Sequence, residues 1–528
     1  MSTVCASLTS TIGSSVGGLV AQVSTFERPE IDYHAFAPEF VLVGAIVLVL
    51  LVDLIRPDSK DPLVPAVAGI GILAAVIPVV TLAVDGADRI LFDGAYTVDT
   101  FSLLLKGLFL LSAYVVVLLS THYIADGDYA EGEYYFLLLC SLLGMTVMAS
   151  ARDLITIFVA LELLSIPAYM LAGWRKRDLQ GNEAGVKYYL MGVFASAVLL
   201  YGMSLLFGIA GDTRLEVIGH ALAGSAGNAS IVALAIVFVV VGFAFKVSAV
   251  PFHHWAPDTY EGAPTPITAF LAVASKAAGF VALLQVLFLA FPSRGDVVQP
   301  LLWVLSALTM TVGNMIALRQ TNIIRMLAYS GIAQAGFMLA PLAVDSDLSS
   351  RAVVTYLVIY AAMNLGAFAV VIGVARKTGS GEISSFGGMF EYAPGLTVLM
   401  SLFLFSLAGI PPLGGWLAKF VVFRTLADAN TPSAYVLGVF VAVNSVIALY
   451  YYANVAREMW MKPVPDDDRT PIVVPFAIQA AIGLTIVATM VFGVSNLATR
   501  LGDEATFTLR GLTAADVGAD IEILDTDG

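Results

Sequence analysis

The stretch Lys246-Val247-Ser248-Ala249-Val250-Pro251-Phe252-His253-His254-Trp255-Ala256-Pro257-Asp258 stands between two apolar runs, 229–251 and 264–290. Proline removes a backbone hydrogen bond and clashes with the preceding turn, so the stretch interrupts a helix. Non-helical backbone at membrane depth survives only where protein buries it or where it lines a wet cavity. The segment therefore predicts a helical membrane protein with a polar interior.

Working outward, a hydrocarbon core of about 30 Å needs roughly 20 apolar residues per helix, and the chain offers about 14 such runs. They fall at 38–55, 64–84, 100–121, 132–150, 153–173, 183–210, 229–251, 264–290, 298–318, 322–343, 352–375, 394–427, 433–456 and 471–498. Composition agrees: of 528 residues, 59% are hydrophobic and 12% charged, against about 25% charged in soluble chains. Mean hydropathy is +0.88. The expected fold class is all-α and polytopic. Residues 1–37 read as an N-terminal extension without the basic start and apolar stretch of a secretory signal, and residues 499–528 as an acidic C-terminal tail. Lysine and arginine concentrate after odd-numbered spans, at positions such as Arg56, Arg175, Lys176, Arg177, Arg376 and Lys377. The positive-inside rule then puts both termini outside the cytoplasm.

The same composition excludes other classes. With 40 acidic residues against 26 basic ones and a formal net charge of -14, there is no basic footprint for nucleic acid. The two cysteines, Cys5 and Cys140, make no ligand set for zinc or an iron-sulfur cluster. Any redox group must sit on another chain.

Charges inside the spans carry the functional reading. Lys106, Lys187, Lys246, Lys276 and Lys419 lie within apolar runs, and each charge at a helix centre costs about 2.5–3.5 kcal/mol. Lys106 and Lys187 are near enough to span ends to snorkel to the headgroups. Lys276, within Ala274-Ser275-Lys276-Ala277-Ala278-Gly279, is too deep, and its small neighbours let helices approach closely. Lys246 precedes Pro251, and Lys419 follows Pro412, so both flank helix breaks. Glu162 answers them as a mid-span acid. A carboxylate beside a lysine holds its charge in place, and withdrawing the carboxylate lets the proton go. Glu133 and Glu183, nearer span ends, read equally as interfacial acids. Adjacent helical residues point about 100° apart, so only one of His253 and His254 faces a common cavity. His253 is the expected relay, since imidazole both gives and takes a proton near neutrality. His254 is expected at the interface beside Trp255.

A second break, Gly409-Ile410-Pro411-Pro412-Leu413-Gly414-Gly415, leads to Lys419. Paired interruptions in two halves of a chain point to a transport site built from inverted repeats. Residues 131–291 then hold one five-helix unit, spans four to eight, and residues 292–460 the other, spans nine to thirteen. Five helices is an odd number, so the second unit is upside down. Residues 38–130 hold spans one to three, and 461–498 span fourteen.

At this point a resemblance enters. Phe252-His253, Trp255, Pro257-Asp258, the run Tyr260-Glu261-Gly262-Ala263-Pro264-Thr265-Pro266, Ser275-Lys276, and Gly409-Ile410-Pro411-Pro412 with Lys419 closely resemble the N-type antiporter-like subunits of bacterial complex I. The resemblance spans 38–498. It implies a proton-translocating, non-redox membrane-arm subunit of NADH:quinone oxidoreductase, moving protons through two linked half-channels and driven by quinone reduction in other subunits. It implies no cofactor in this chain, other membrane-arm subunits of complex I and the lipid bilayer as partners, and residence in the bacterial inner (plasma) membrane. Carried over by motif, Glu162 is the carboxylate partner of Lys246, Lys276 the connecting residue and Lys419 the exit-side lysine. Lys187, Glu133 and Glu183 fall where the family tends to keep charge, and Lys419 points to the N type over the M type. Gln334 stands where relatives often carry histidine. A subunit of a multi-subunit sodium/proton antiporter is the alternative that shares these motifs, and a stand-alone solute carrier is a more distant one.

Overall fold

The computed structural model describes residues 31–56, 62–127, 131–224 and 229–505. Cys5, residues 1–30 of the expected extension and residues 506–528 of the expected tail lie outside the described residues. The unit beginning at His34 carries the architecture.

Wherever the sequence shows an apolar run, backbone groups that hydrocarbon cannot satisfy close onto one another as helix. In chain order the helices are α1 (Ala37–Ile55), α2 (Leu63–Asp85), α3 (Thr100–Ala125), α4 (Glu131–Ser150), α5 (Leu154–Ala172), α6 (Leu179–Ala210), the short α7 (Leu215–Gly224), α8 (Ala229–Lys246) and the short α9 (Trp255–Gly262). Then follow α10 (Thr265–Ala290), α11 (Gly295–Ala317), α12 (Ile323–Ala343), α13 (Ser349–Thr378), α14 (Pro394–Ala408), α15 (Gly414–Asp428), α16 (Pro432–Met461), α17 (Phe476–Val494) and α18 (Leu497–Glu504). Thirteen of the described helices are long and apolar enough to cross a membrane. The run expected as a single span at 394–427 is instead two half-helices, α14 and α15, because the Gly409–Leu413 turn divides it. The all-helical class holds, with one small exception: a hairpin of β1 (Arg89–Leu91) and β2 (Tyr96–Val98), paired antiparallel with Leu91 opposite Tyr96.

Helix ends follow from side chains just outside the apolar runs. Asp99, Asp153, Asp178 and Asn322 cap α3, α5, α6 and α12 by accepting from backbone N–H groups of the first turn, which satisfies donors no helix can pair internally. At the other end, Gly86, Gly211 and Gly409 take left-handed conformations after α2, α6 and α14, which glycine does without steric cost.

Two helices, α10 and α13, are enclosed by protein over their whole membrane-crossing length. Small residues make that possible. A Cβ on Gly279 would stand 3.0 Å from Lys246 Cγ, so α8 and α10 touch along this face. α10 is also irregular: Leu271–Ser275 and Val286–Ala290 are π-helical. The first of these wide turns ends directly before Lys276, and such turns cluster at functional sites.

Candidate functional site

The first break sits where expected. α8 ends at Lys246, Ser248 adopts a left-handed conformation, and the chain turns through Val247–His254 before α9. The carbonyl of Phe245, at the end of α8, accepts from the Ser248 N–H and from Trp255 Nε1, each at 3.0 Å. Trp255 in turn stacks on Tyr188 of α6, with ring centroids 4.5 Å apart and planes 12° apart. The Lys246 ammonium stands over the Tyr188 ring of this pair, 5.8 Å from its centroid.

Lys246 is buried. Its Nζ donates to Ser165 Oγ at 2.8 Å and to Tyr188 OH at 3.4 Å. Glu162, one turn before Ser165 on α5, accepts from Ser196 Oγ of α6 at 2.6 Å. No ion pair within 4.0 Å joins Glu162 to Lys246: the ammonium is held by Ser165, whose own hydroxyl donates to the Leu161 carbonyl, and the carboxylate is held by Ser196. The reason lies in reach and competition: the serine hydroxyl is the nearer acceptor for the ammonium, and Ser196 already engages the carboxylate.

Lys276 is buried on the enclosed helix α10. Its Nζ donates to the Gly331 carbonyl of α12 at 2.7 Å. Gly331 is the residue that lets it: a Cβ there would stand 3.0 Å from Tyr360 OH and 3.2 Å from Lys276 Nζ. Tyr360, on α13, accepts from Asn364 at 3.0 Å. One turn along α12, Gln334 is wholly buried; it donates to the Leu407 carbonyl of α14 at 3.0 Å and to Tyr452 OH of α16 at 3.3 Å, and accepts from Tyr356 OH of α13. Glutamine thus ties four helices together at the place where a titratable side chain was noted as missing.

Lys419 lies at the second break. Its Nζ donates to the Ala408 carbonyl at 2.8 Å, one of the carbonyls that the end of α14 leaves open, where the helix dipole also favours a cation. The ammonium faces the Phe337 ring at 4.7 Å. Gly415 packs α15 against α14 so closely that a Cβ there would fall 1.7 Å from the Ser406 carbonyl oxygen.

The remaining expected residues separate into two groups. His253 is buried, its Nδ1 has no hydrogen-bond partner, and its ring centroid is 4.3 Å from that of the exposed His254. Glu133 is exposed at the start of α4, while Glu131, two residues earlier and on the other side of the helix, is the buried acid there. Lys187 and Glu183 lie partly exposed on α6 and belong to a network that the sequence reading missed. Lys187 bridges Glu183 at 2.5 Å and Asp258 at 2.7 Å, and Arg325 of α12 bridges Asp258 at 2.9 Å and Glu261 at 2.6 Å. The five side chains bind α6, α9 and α12 into one unit beside the first break. Burial alone would push the Asp258 carboxyl up, but Lys187 and Arg325 outweigh it and hold the carboxyl below its ordinary value. Among the described residues, no three His, Cys, Asp or Glu side chains gather in a way that could hold a metal ion.

Lys106 departs most from expectation. It does not snorkel: it is fully buried, 3.0 Å from Glu39 of α1 and 2.8 Å from the hydroxyl of Tyr96.

Comparison with known proteins places this geometry. Residues 151–447 match the family described as "NADH:quinone oxidoreductase/Mrp antiporter, TM". The chain is 42% identical over 434 residues to NAD(P)H-quinone oxidoreductase subunit 2 of Thermosynechococcus vestitus, covering 82% of this chain and 83% of the relative. It is 39% identical over 455 residues to NADH-quinone oxidoreductase subunit N of Trichlorobacter lovleyi, covering 86% and 92%. A chain in the structure of respiratory complex I from Thermus thermophilus superposes with a TM-score of 0.71 at 32% identity, covering 87% of this chain and 97% of that one.

Proposed function

The chain belongs to the NADH:quinone oxidoreductase/Mrp antiporter family of membrane proteins, and we propose that, as the N-type subunit of a multi-subunit NADH:quinone oxidoreductase, it carries protons along Glu162, Lys246, His253, Lys276 and Lys419. The path runs through two linked half-channels, one in 131–291 and an inverted one in 292–460. Lys187, Glu183 and Glu133 lie on its flank. The chain works as a non-redox subunit, with electron transfer on its partners, and it sits in the bacterial inner membrane with both termini outside the cytoplasm.

The observation that carries this reading concerns the acceptors of the three lysines. Lys246, Lys276 and Lys419 are all buried, each beside a helix break or a π turn, and each donates to neutral oxygen: a serine or tyrosine hydroxyl, or a backbone carbonyl. An ammonium held this way can pass on its proton without pulling an ion pair apart. Holding an ammonium at this depth with no carboxylate within ion-pair distance is costly, so moving a proton accounts for these three lysines better than bracing the fold does. Moving one charge against the membrane potential costs about 2.3 kcal/mol per 100 mV, which quinone reduction elsewhere in the complex supplies.

The test is Lys246→Ala in the assembled complex. Quinone reduction continues and proton pumping collapses; unchanged pumping would remove the central residue from the path. Sodium transport independent of NADH, in membranes lacking the rest of the complex, would move the assignment to the antiporter branch of the family.

A further inference from the structure

Outside the two repeats, the described residues include a pair of opposite charges buried between α1 and α3. Glu39 is 4% exposed and Lys106 0% exposed, and they meet at 3.0 Å between α1 and α3. The contact is an ion contact without aligned hydrogen-bond geometry: Nζ of Lys106 is directed at Tyr96 OH, 2.8 Å away, and the same hydroxyl lies beside the Glu39 carboxylate.

Stability does not account for this pair. Withdrawing two ions from water costs several kcal/mol each, and apolar side chains of similar volume serve a core as well or better. Yet its surroundings are built around it. Tyr96 lies on β2 and lids the pair; its ring stacks on Phe36 at 4.4 Å. The hairpin is fastened to the α4–α5 junction, where Arg152 N–H donates to the Ala95 carbonyl at 2.9 Å and the Arg152 guanidinium pairs with Asp99 at 2.7 Å. Tyr96 is the ionisable side chain that touches the pair, and Arg152 acts on Tyr96 from the α4–α5 junction. Buried Ser150, at the end of α4, lies beside Tyr96. The carbonyls just before it, of Met148 and Ala149, accept from Gln285 of α10, the helix that carries Lys276.

We propose that Glu39 and Lys106 form a second proton-holding site, separate from the lysine row, that exchanges protons through the Tyr96 hydroxyl beneath the β1–β2 hairpin. In its charged form the pair is a carboxylate and an ammonium, and its one exchangeable proton is on Lys106. A further proton arriving at the Tyr96 oxygen displaces the phenolic one to a Glu39 oxygen: the tyrosine O–H bond breaks as the carboxylic O–H forms, and the incoming proton restores the phenol. Reversal empties the site. The inference rests on the proton-conducting reading above, since only a proton-moving subunit has use for such a store.

The test is the double variant Glu39→Leu/Lys106→Met in the assembled complex, measured beside Lys246→Ala. Removing both charges together spares the fold, whereas either single removal strands a buried ion. The double variant is expected to keep native quinone reduction while protons pumped per electron pair fall roughly two-fold or more. Native pumping in the double variant with collapse in Lys246→Ala would overturn this inference alone; native pumping in both would overturn the path itself. Tyr96→Phe keeps the ring stacking and removes the hydroxyl. It is expected to slow pumping likewise, and native pumping there also defeats the proposal, even if the double variant fails to assemble.

Discussion

Lys246 donates to the hydroxyl of Ser165 at 2.8 Å, and Ser165 lies one helical turn beyond Glu162 on the same face of α5. The serine holds the base from the helix that carries the acid, with no direct ion pair between the two and with its own hydroxyl donated to the Leu161 carbonyl. Its substitution separates coupling from charge.

For Ser165→Ala the complex is expected to assemble, since one methyl-sized side chain replaces another of similar volume. A hydrogen bond to a charged group is worth about 1.5–3 kcal/mol, and about 1.4 kcal/mol is tenfold in rate. Proton delivery through Lys246 should slow by roughly tenfold or more. Vesicle acidification normalised to quinone reduction reads this out, and an unaltered ratio would show that Ser165 is a spectator.

Gly331 and Gly415 should behave differently under the same substitution. Alanine at 415 meets the Ser406 carbonyl oxygen at 1.7 Å, a backbone atom that cannot swing away. Overpacking a core costs about 1–3 kcal/mol and occasionally more, and with a backbone atom in the way Gly415→Ala falls at the costly end and should fail to accumulate in the membrane. Alanine at 331 meets a tyrosine hydroxyl and a lysine ammonium at 3.0 and 3.2 Å, both ends of side chains that can shift. Gly331→Ala should assemble normally and lose pumping. Immunodetection of the complex and proton transport separate the two outcomes.

Gln334 can be exchanged for histidine more readily than for leucine. Leucine strands the Tyr356 hydroxyl and removes a donor from the Leu407 carbonyl and Tyr452, and each buried group left unpaired costs about 1–3 kcal/mol. Neutral histidine offers one donor and one acceptor and keeps part of the set. Thermal unfolding of the purified complex should therefore fall clearly for Gln334→Leu and less for Gln334→His. Equal losses would mean that the hydrogen bonds carry no weight there.

The clamp around Asp258 gives a pH dependence with a definite sign. Asp258 lies in α9, outside the membrane-crossing helices, and its carboxyl is held below the ordinary value of 3.8 by Lys187 and Arg325 against the opposing effect of burial. A carboxyl depressed on folding contributes stability that is complete above its ordinary value and is lost as pH falls through the lower folded value. Asp258→Asn should lower the unfolding temperature at neutral pH. It should also narrow the difference from the native complex as pH falls below about 4, where the carboxyl of the unfolded chain takes up its proton before that of the native clamp does. A difference that persists unchanged into acid would assign the effect to something other than the ion pairs.

The sequence was most informative where chemistry is local. Pro251, Pro411, Pro412 and Gly409 announced both breaks, and apolar length announced the helices around them. Lys246, Lys276 and Lys419 were visible as charges too deep to escape. What stayed hidden depends on partners distant in the chain. Lys106 looked able to reach the headgroups because nothing in its own span forbids it; Glu39, on another helix, holds it inside. Ser165 and Tyr188 as the acceptors of Lys246 left no trace, since a serine or tyrosine in an apolar run is ordinary. Glu131 and Glu133 stand two residues apart on one helix, and only its rotation decides which of them is buried. Asp258, Glu261 and Arg325 were legible individually, but their joining required α12 to be placed against α9.

The π-helical turn at Leu271–Ser275 gives α10 one surplus residue relative to a regular helix. Such a surplus behaves like a dislocation in a crystal: it can travel along the rod by exchanging one wide hydrogen bond for a normal one at each step. Every residue it passes swings by about 100° while both ends of the rod stay anchored. Lys276, at the boundary of the defect, could in this way turn from one neighbour to another without any helix changing place.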